Sequence, residues 1–356
     1  MNSSKALKVA IQGGGLAASV CAQTLSEAGI DVAVFESGRG PGGRMSTRRA
    51  KARSNTFQWD HGAQYFSPKS EEFSDLIQRW QDSGLVDVWD GQHCVWSTDN
   101  GIVPDQKVAD RFVGVPGMNA ICKGLLEGGS KVKTVYKTRA VASRVGSMWR
   151  LSHAKSGADL GSYDFLVTSD KTAALPRRPD LDACLLDFKE QASSIKSAKS
   201  LVLMLATDPL NLPFDSLLLE GHADFSWIAK DSSKPGRSRD DNTECWVAQA
   251  SPDINIDVKG FPNAVRKQLI TELTPRFEAL VSDLGGTGGR VHLVQGHRWG
   301  AAFPLSSIPS VEDFYIDEVN SFAATGDYFT AYPGRVEGAA LSGSRLAAAL
   351  LSKFYT

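Results

Sequence analysis

Several things are missing from this sequence, and each absence narrows its class. There is no C-x-x-C pair: Cys21, Cys94, Cys122, Cys184 and Cys245 are odd in number and scattered over 356 residues. That spacing argues against a disulfide framework or a zinc site and for a reducing compartment. No long apolar run is present either. The longest, Leu201 to Ala206, falls far short of the ~20 residues a membrane span needs. Room for a signal peptide is lacking too, because Met1 leads almost directly into the apolar stretch Val9 to Ile11. The expectation is a soluble, cytoplasmic protein, or one of an organelle stroma if a transit peptide has been removed. Charge of one sign is nearly absent, with a net value of -1, so nothing favours a nucleic-acid or anionic-membrane partner. With no repeats or low-complexity tracts, the chain reads as a small-molecule protein of roughly two domains.

Glycine is what the chain has in structured form. Gly13-Gly14-Gly15-Leu16-Ala17-Ala18 sits between an apolar strand and a helix with Leu16, Val20, Thr24 and Leu25 on one face. It fits the dinucleotide fingerprint. Gly13 permits the tight turn, Gly15 lets a pyrophosphate approach the backbone, and Ala18 allows close packing of helix on strand. The helix N-terminus offers free N–H groups and positive dipole to phosphate. Glu36 follows about 20 residues on, where a carboxylate accepts hydrogen bonds from ribose hydroxyls. Ser37 lies beside it. A structural glycine turn is the plainer alternative, but it does not account for strand, helix and Glu36 in register.

Two further motifs sit at a distance. In Gly40-Pro41-Gly42-Gly43-Arg44-Met45, paired glycines let the backbone lie against a ligand, and Arg44 can face a pyrophosphate bidentately. The remaining basic residues, Arg48 to Arg53, read as a solvated loop. Near the C-terminus, Thr325-Gly326-Asp327 precedes Arg335-Val336-Glu337-Gly338-Ala339. A strand there would deliver Asp327 to a polyhydroxyl chain. The helix opening at Val336 would turn its dipole towards negative charge on a reduced flavin ring.

Elsewhere, helices are expected over 70–83, from Pro116-Gly117 to near Gly128-Gly129, over 262–284 and over 336–352. Strands are expected at 200–206, 245–250 and 321–326. Alternation over 85–97 suggests a hairpin around Asp90-Gly91, residues 37–67 read as loop and then a short strand, and 131–168 as a small β-meander.

Taken together, the motifs resemble the renalase-like branch of the FAD-dependent amine-oxidase superfamily. Five more segments carry the likeness: Asp60 to Phe66, Gly114 to Met118, Ser226 to Arg237, Trp246 to Ser251 and His297-Arg298-Trp299. The resemblance implies an α/β fold of the p-hydroxybenzoate hydroxylase or amine oxidase type. In it a Rossmann-like FAD-binding domain (1–68, 112–178 and 292–356) interleaves with a smaller α+β substrate domain (69–111 and 179–291). It implies FAD bound non-covalently, since no cysteine follows Cys245. Gly62, Ala63 and Gln64 would lie beside the flavin ring.

The implied chemistry is hydride transfer from a small reduced substrate, of the dihydronicotinamide-isomer class, to flavin N5, with O2 as acceptor. His61, His297 and Trp299 are the candidate catalytic residues; Trp227 is a further candidate for stacking on a flat substrate. No metal-ligand spacing is apparent. Two departures bear on the substrate: Gln249 stands where the family often has His, and Gly300-Ala301 replaces a basic and an aromatic residue. Oxidation of an amine or polyene is the alternative within enzymes, and a non-catalytic FAD-binding protein is the alternative outside them.

Overall fold

The computed structural model describes residues 7–106, 109–176, 178, 180–310 and 312–355. Apolar strands lying between two covered faces form its first sheet. β1 (Lys8–Gln12), β2 (Asp31–Phe35), β9 (Val132–Val135), β13 (Phe165–Thr168) and β20 (Phe322–Thr325) run parallel, and β19 (Phe314–Asp317) adds an antiparallel edge. The order is β19-β20-β13-β1-β2-β9. Val9, Ile11, Val32 and Val34 point to a face covered by α1 (Leu16–Glu27) and α6 (Val336–Phe354), and Ala10, Ala33 and Phe35 to the other. That second face carries the meander β10 (Ala140–Val145), β11 (Met148–His153), β12 (Asp159–Tyr163), and α4 (Leu186–Ser194). Burial on both faces is what makes these strands uniformly apolar.

The second sheet has seven strands in the order β18-β14-β17-β16-β15-β6-β7. They are β6 (His93–Ser97), β7 (Gly101–Pro104), β14 (Ser197–Thr207), β15 (Ser216–Leu219), β16 (Phe225–Lys230), β17 (Glu244–Ala250) and β18 (Val291–Pro304). α5 (Pro262–Asp283) lays Val265, Leu269, Leu273, Phe277 and Leu280 on one face, against Leu203, Leu205 and Trp246. The other face packs Val202, Met204 and Val247 against a hairpin, β3 (Thr47–Ala52) and β4 (Asn55–Asp60). Between the halves lie α2 (Glu71–Asp82), α3 (Ala120–Gly128) and the short pair β5 (Val86–Val88) and β8 (Phe112–Gly114). Among the described residues no helix is long and apolar enough to cross a membrane.

The helices and strands expected from periodicity are present, and three expectations change. Residues 85–97 do not form a hairpin, because β5 pairs with β8 while β6 pairs with β7 and β15. Residues 37–67, expected as loop and then a short strand, hold the β3–β4 hairpin: the short strand is β4, and β3 was hidden from composition by its arginines. The meander expected over 131–168 is confined to β10–β12, because β9 and β13 belong to the parallel sheet. The interleaving is also finer than the expected segments. β18, within 292–356, lies in the seven-stranded sheet beside β14, whose apolar length needs a partner on each side. α2, within 69–111, packs with α3 and α6 residues, and α4, within 179–291, packs on the parallel sheet.

Candidate functional site

Two loops and a helix start meet over the carboxyl ends of β1 and β2. Gly13 turns with φ +100°, and a methyl there would meet Ser169 Oγ at 2.6 Å, so its glycine is required by the protein itself. Gly15 is different: a Cβ there would meet nothing within 4 Å. Behind it α1 begins at Leu16 and Ala17 with no side-chain cap on its amides. Gly42 N donates to Gly14 O at 2.8 Å and brings Gly43 against Gly15, so the two glycine motifs form one surface. Met45 anchors that loop in the core. Glu36 bridges the loops, accepting from Gly14 N at 2.7 Å and from Gly38 N, with Ser37 Oγ at 3.4 Å.

The C-terminal motif meets the same surface. Asp327, 2% exposed, accepts from Arg44 Nη1 and Nη2, each at 2.6 Å, and from Gly334 N at 3.0 Å. The two residues expected to touch different parts of one ligand are thus also partners of each other. Arg44 stays 41% exposed. The neighbouring helix start needs a correction. Glu337 is buried, and its carboxylate accepts from Lys69 N at 3.0 Å and Ser70 Oγ at 2.6 Å. It holds the start of α2. Gly338 owes its identity to Thr330 Oγ1 and the Tyr332 carbonyl, each 2.5 Å from where a Cβ would stand. Val336 and Ala339 flank it, with no side-chain cap on their helix.

The segment after β4 joins these loops to the second sheet. An added methyl at Gly62 would overlap the Arg44 carbonyl oxygen on one side and lie 3.4 Å from the Trp299 ring on the other. Ala63 N donates to Arg44 O at 3.0 Å, and Gln249 Nε2 to Gly62 O at 3.0 Å. Gln249 is therefore a clamp on this segment. Gln64 is buried and turned inward, with Nε2 3.2 Å from Gly62 O and its oxygen facing Lys234 Nζ at 3.5 Å. Below it lies a buried ionic cluster that sequence reading did not assign. Asp60 accepts from Arg237 at 2.5 Å, Thr47 at 2.6 Å and Met118 N at 3.0 Å, and Asp231 from Lys234 at 2.7 Å. Burial opposes its charge, yet Arg237 and Lys234 hold Asp60 below the usual carboxylate range; burial and Asp60 itself push Asp231 up.

The three candidate catalytic residues come together beyond Gly62. The rings of His61 and Trp299 stack with centroids 4.9 Å apart, and His297 stands edge-on to both, at 4.6 and 4.5 Å. Trp299 Nε1 donates to the His61 carbonyl at 2.7 Å. His297 Nδ1 lies 3.3 Å from Arg48 Nη2. A guanidinium only donates, so this nitrogen accepts and the neutral ring carries its proton on Nε2. Nδ1 of His61 is buried without a partner, while its ring bonds the Ser46 backbone through the other nitrogen. Burial first, then His297 and Arg48, push His61 down to about 3; burial, Arg48 and Arg266 push His297 down to about 4. Both are neutral at pH 7. Trp227 is not part of this cluster: it is buried against Tyr65 and Arg111.

Arg48 corrects the expectation of a solvated basic loop. β3 alternates, so Arg49 and Lys51 face solvent while Arg48 turns in. It opens a cavity of about 220 Å³ with Arg266, His297 and Arg298 on its walls. A larger depression of about 420 Å³ lies far from these residues, around Phe188 and Tyr315, and holds none of the candidate groups. The five cysteines are free, and burial pushes Cys21, Cys122 and Cys245 up to about 12, so none of these three is a thiolate.

Known proteins share this architecture. A family model described as an NAD(P)-binding Rossmann-like domain matches residues 11–80. An oxidoreductase from Methanosarcina mazei superposes with a TM-score of 0.65 at 13% identity, covering 97% of this chain and 100% of that one. Putrescine oxidase bound to putrescine superposes with a TM-score of 0.63 at 13% identity, covering 98% and 100%. The chain therefore has a mixed α/β fold with a Rossmann-like unit, arranged as in these enzymes.

Proposed function

We propose that this chain is an FAD-dependent oxidoreductase that takes a hydride from a small reduced substrate of the dihydronicotinamide-isomer class, with O2 as the final acceptor. The observation that carries the reading is the junction at Gly62. There the glycine loops of a nucleotide-binding unit reach a wall of two neutral histidines and a tryptophan, with no room for a side chain between Arg44 and Trp299. The open face of Gly15 and the uncapped start of α1 fit a pyrophosphate, and Glu36 fits a ribose. Arg44, Asp327 and the start of α6 extend the same surface beyond what one nicotinamide nucleotide on the first glycine turn requires, which favours FAD over NAD. Flavin, when bound, supplies the two-electron chemistry.

The protein's own residues would bind and orient. His61 and His297, both held neutral, offer no strong base, which suits a donor that is already electron-rich. His297 presents Nε2–H as a hydrogen-bond donor, and Trp299 an aromatic face. The structural neighbours include a putrescine oxidase, but a cationic amine suits this site poorly: the approach past Arg48, Arg266 and Arg298 is positive, and like charge repels.

The test is to purify the protein and mix it anaerobically with dihydronicotinamide isomers, amines and other donors. Bleaching of the flavin by a dihydronicotinamide isomer is expected. Bleaching by an amine alone would overturn the substrate class; bound flavin that no donor reduces would favour a binding protein; a colourless protein that takes up no FAD would end the reading.

A further inference from the structure

We propose that Arg48, Arg266 and Arg298 form an anion-binding subsite at the edge of the seven-stranded sheet, which holds a phosphate or pyrophosphate group of the substrate. β18 is the edge strand of that sheet, with α5 on one face and the β3–β4 hairpin on the other. Arg266 comes from α5, Arg48 from β3 and Arg298 from β18 itself, so arginines of three separate elements line one cavity of about 220 Å³.

None of the three has a carboxylate partner among the described residues. Several buried or half-buried arginines elsewhere do, Arg111 with Asp105, Arg237 with Asp60, and Arg276, ten residues along the same helix from Arg266, with Asp224, while Arg144 lies over the Trp149 ring instead. Among the described residues the one side-chain hydrogen bond of the trio is that of Arg48 with His297. Burial and the charge of Arg266 both work against the Arg48 cation. Three cations held together uncompensated are costly, and a multivalent anion relieves that cost where a single carboxylate would leave repulsion behind. Gly260 and Pro262, at the start of α5, complete the wall and add the positive end of its dipole. A cavity this size is below the ~300–1,000 Å³ of pockets that enclose a whole ligand. It suits one charged group of a longer molecule whose flat end lies at Trp299.

The inference rests on the proposed redox reading only in assigning the anion to the oxidised substrate. Calorimetric titration with inorganic pyrophosphate, in saturating FAD and at fixed ionic strength, tests it directly. Binding is expected, weakened tenfold or more in Arg266→Gln and in Arg298→Gln and unchanged in Arg49→Gln, whose side chain points to solvent. Histidine NMR locates the anion. Arg48 and Arg266 face His297 from β3 and α5, and His61 packs beside it, so a bound anion should raise the His297 titration and leave His153 unmoved. No binding at millimolar pyrophosphate, or equal weakening in Arg49→Gln, would overturn the subsite.

A second arm compares donors. Arg266→Gln should raise the half-saturating concentration of a dihydronicotinamide dinucleotide and leave that of the phosphate-free riboside unchanged. Equal behaviour of the two donors would overturn the subsite while the redox reading stands. Pyrophosphate binding with no bleaching by any donor would support the subsite while the redox reading falls.

Discussion

Glu36 and Arg44 occupy opposite ends of one glycine-lined surface and are tied down differently. Among the described residues the Glu36 carboxylate has loop amides and Ser37 as hydrogen-bond partners and no cation, so its loss strands no paired charge. Glu36→Ala should therefore lower flavin retention with little loss of stability, and should lower it more than His297→Ala does; the flavin-to-protein absorbance ratio after gel filtration measures this. Arg44→Ala instead strands the buried Asp327 carboxylate. It should cost about 2–3 kcal/mol by urea denaturation, less than the ~3–5 kcal/mol of a wholly buried pair because Arg44 is 41% exposed. Asp60→Asn should destabilise more than Asp231→Asn, since Asp60 collects Arg237, Thr47 and Met118 N. That Gly13, Gly15 and Glu36 would meet was legible in the sequence, because strand, glycine turn and helix bring them together within one local unit. The contact of Gln249 with Gly62 and the place of Arg266 beside Arg48 were not, because they depend on which strand ends beside which helix. The tie of Glu337 to the start of α2 was not legible, because a carboxylate at a helix start looks the same in sequence whether it faces a ligand or another helix.

At the scale of elements, the histidine cluster gives the β4–β18 junction a pH dependence. The unfolded rings titrate near 6.5, while the folded ones are held at about 3 and about 4. Below 6.5 the unfolded chain binds more protons, so stability is full above that value and falls as pH drops towards 4. The slope is at most about 1.4 kcal/mol per pH unit for each ring. Thermal melts at pH 7.5 and 5.0 should show the decline, and His61→Gln should flatten it. Gly62→Ala should cost about 1–3 kcal/mol by overpacking against the Arg44 backbone. Helices were read well from periodicity because each buries one apolar stripe. β3 was missed because three of its six residues are basic, which composition alone reads as loop, whereas β4, with Phe57 and Trp59 turned in, was the short strand expected there.

For the whole molecule, the chain's two ends close one site: β1 and β2 supply the loops, and Asp327 and α6 return from the far terminus to meet them. A ligand bound there couples both ends. FAD at 100 times its dissociation constant should add about 2.7 kcal/mol to unfolding, and a thermal shift titration should show it in the wild type and much less in Glu36→Ala. The fold class was legible from the alternation of strand, glycine turn and helix. The exact partition of segments between the two sheets was not, because β18 joins whichever neighbour completes β14, and that is decided in three dimensions.

β18 has one more consequence. It is a sheet edge 14 residues long, with the Ala302 carbonyl taken by Arg44 Nη1, the kind of margin on which a second molecule can dock by strand addition. Arg298 and its two neighbours in charge stand along that margin, and copies of the chain approaching there would bring six guanidiniums face to face. The charges assigned above to the anion subsite would oppose such strand addition. Replacing all three with glutamine should shift the chain from a discrete species to soluble aggregate in light scattering, and pyrophosphate, by masking the charge, should move the wild type in the same direction.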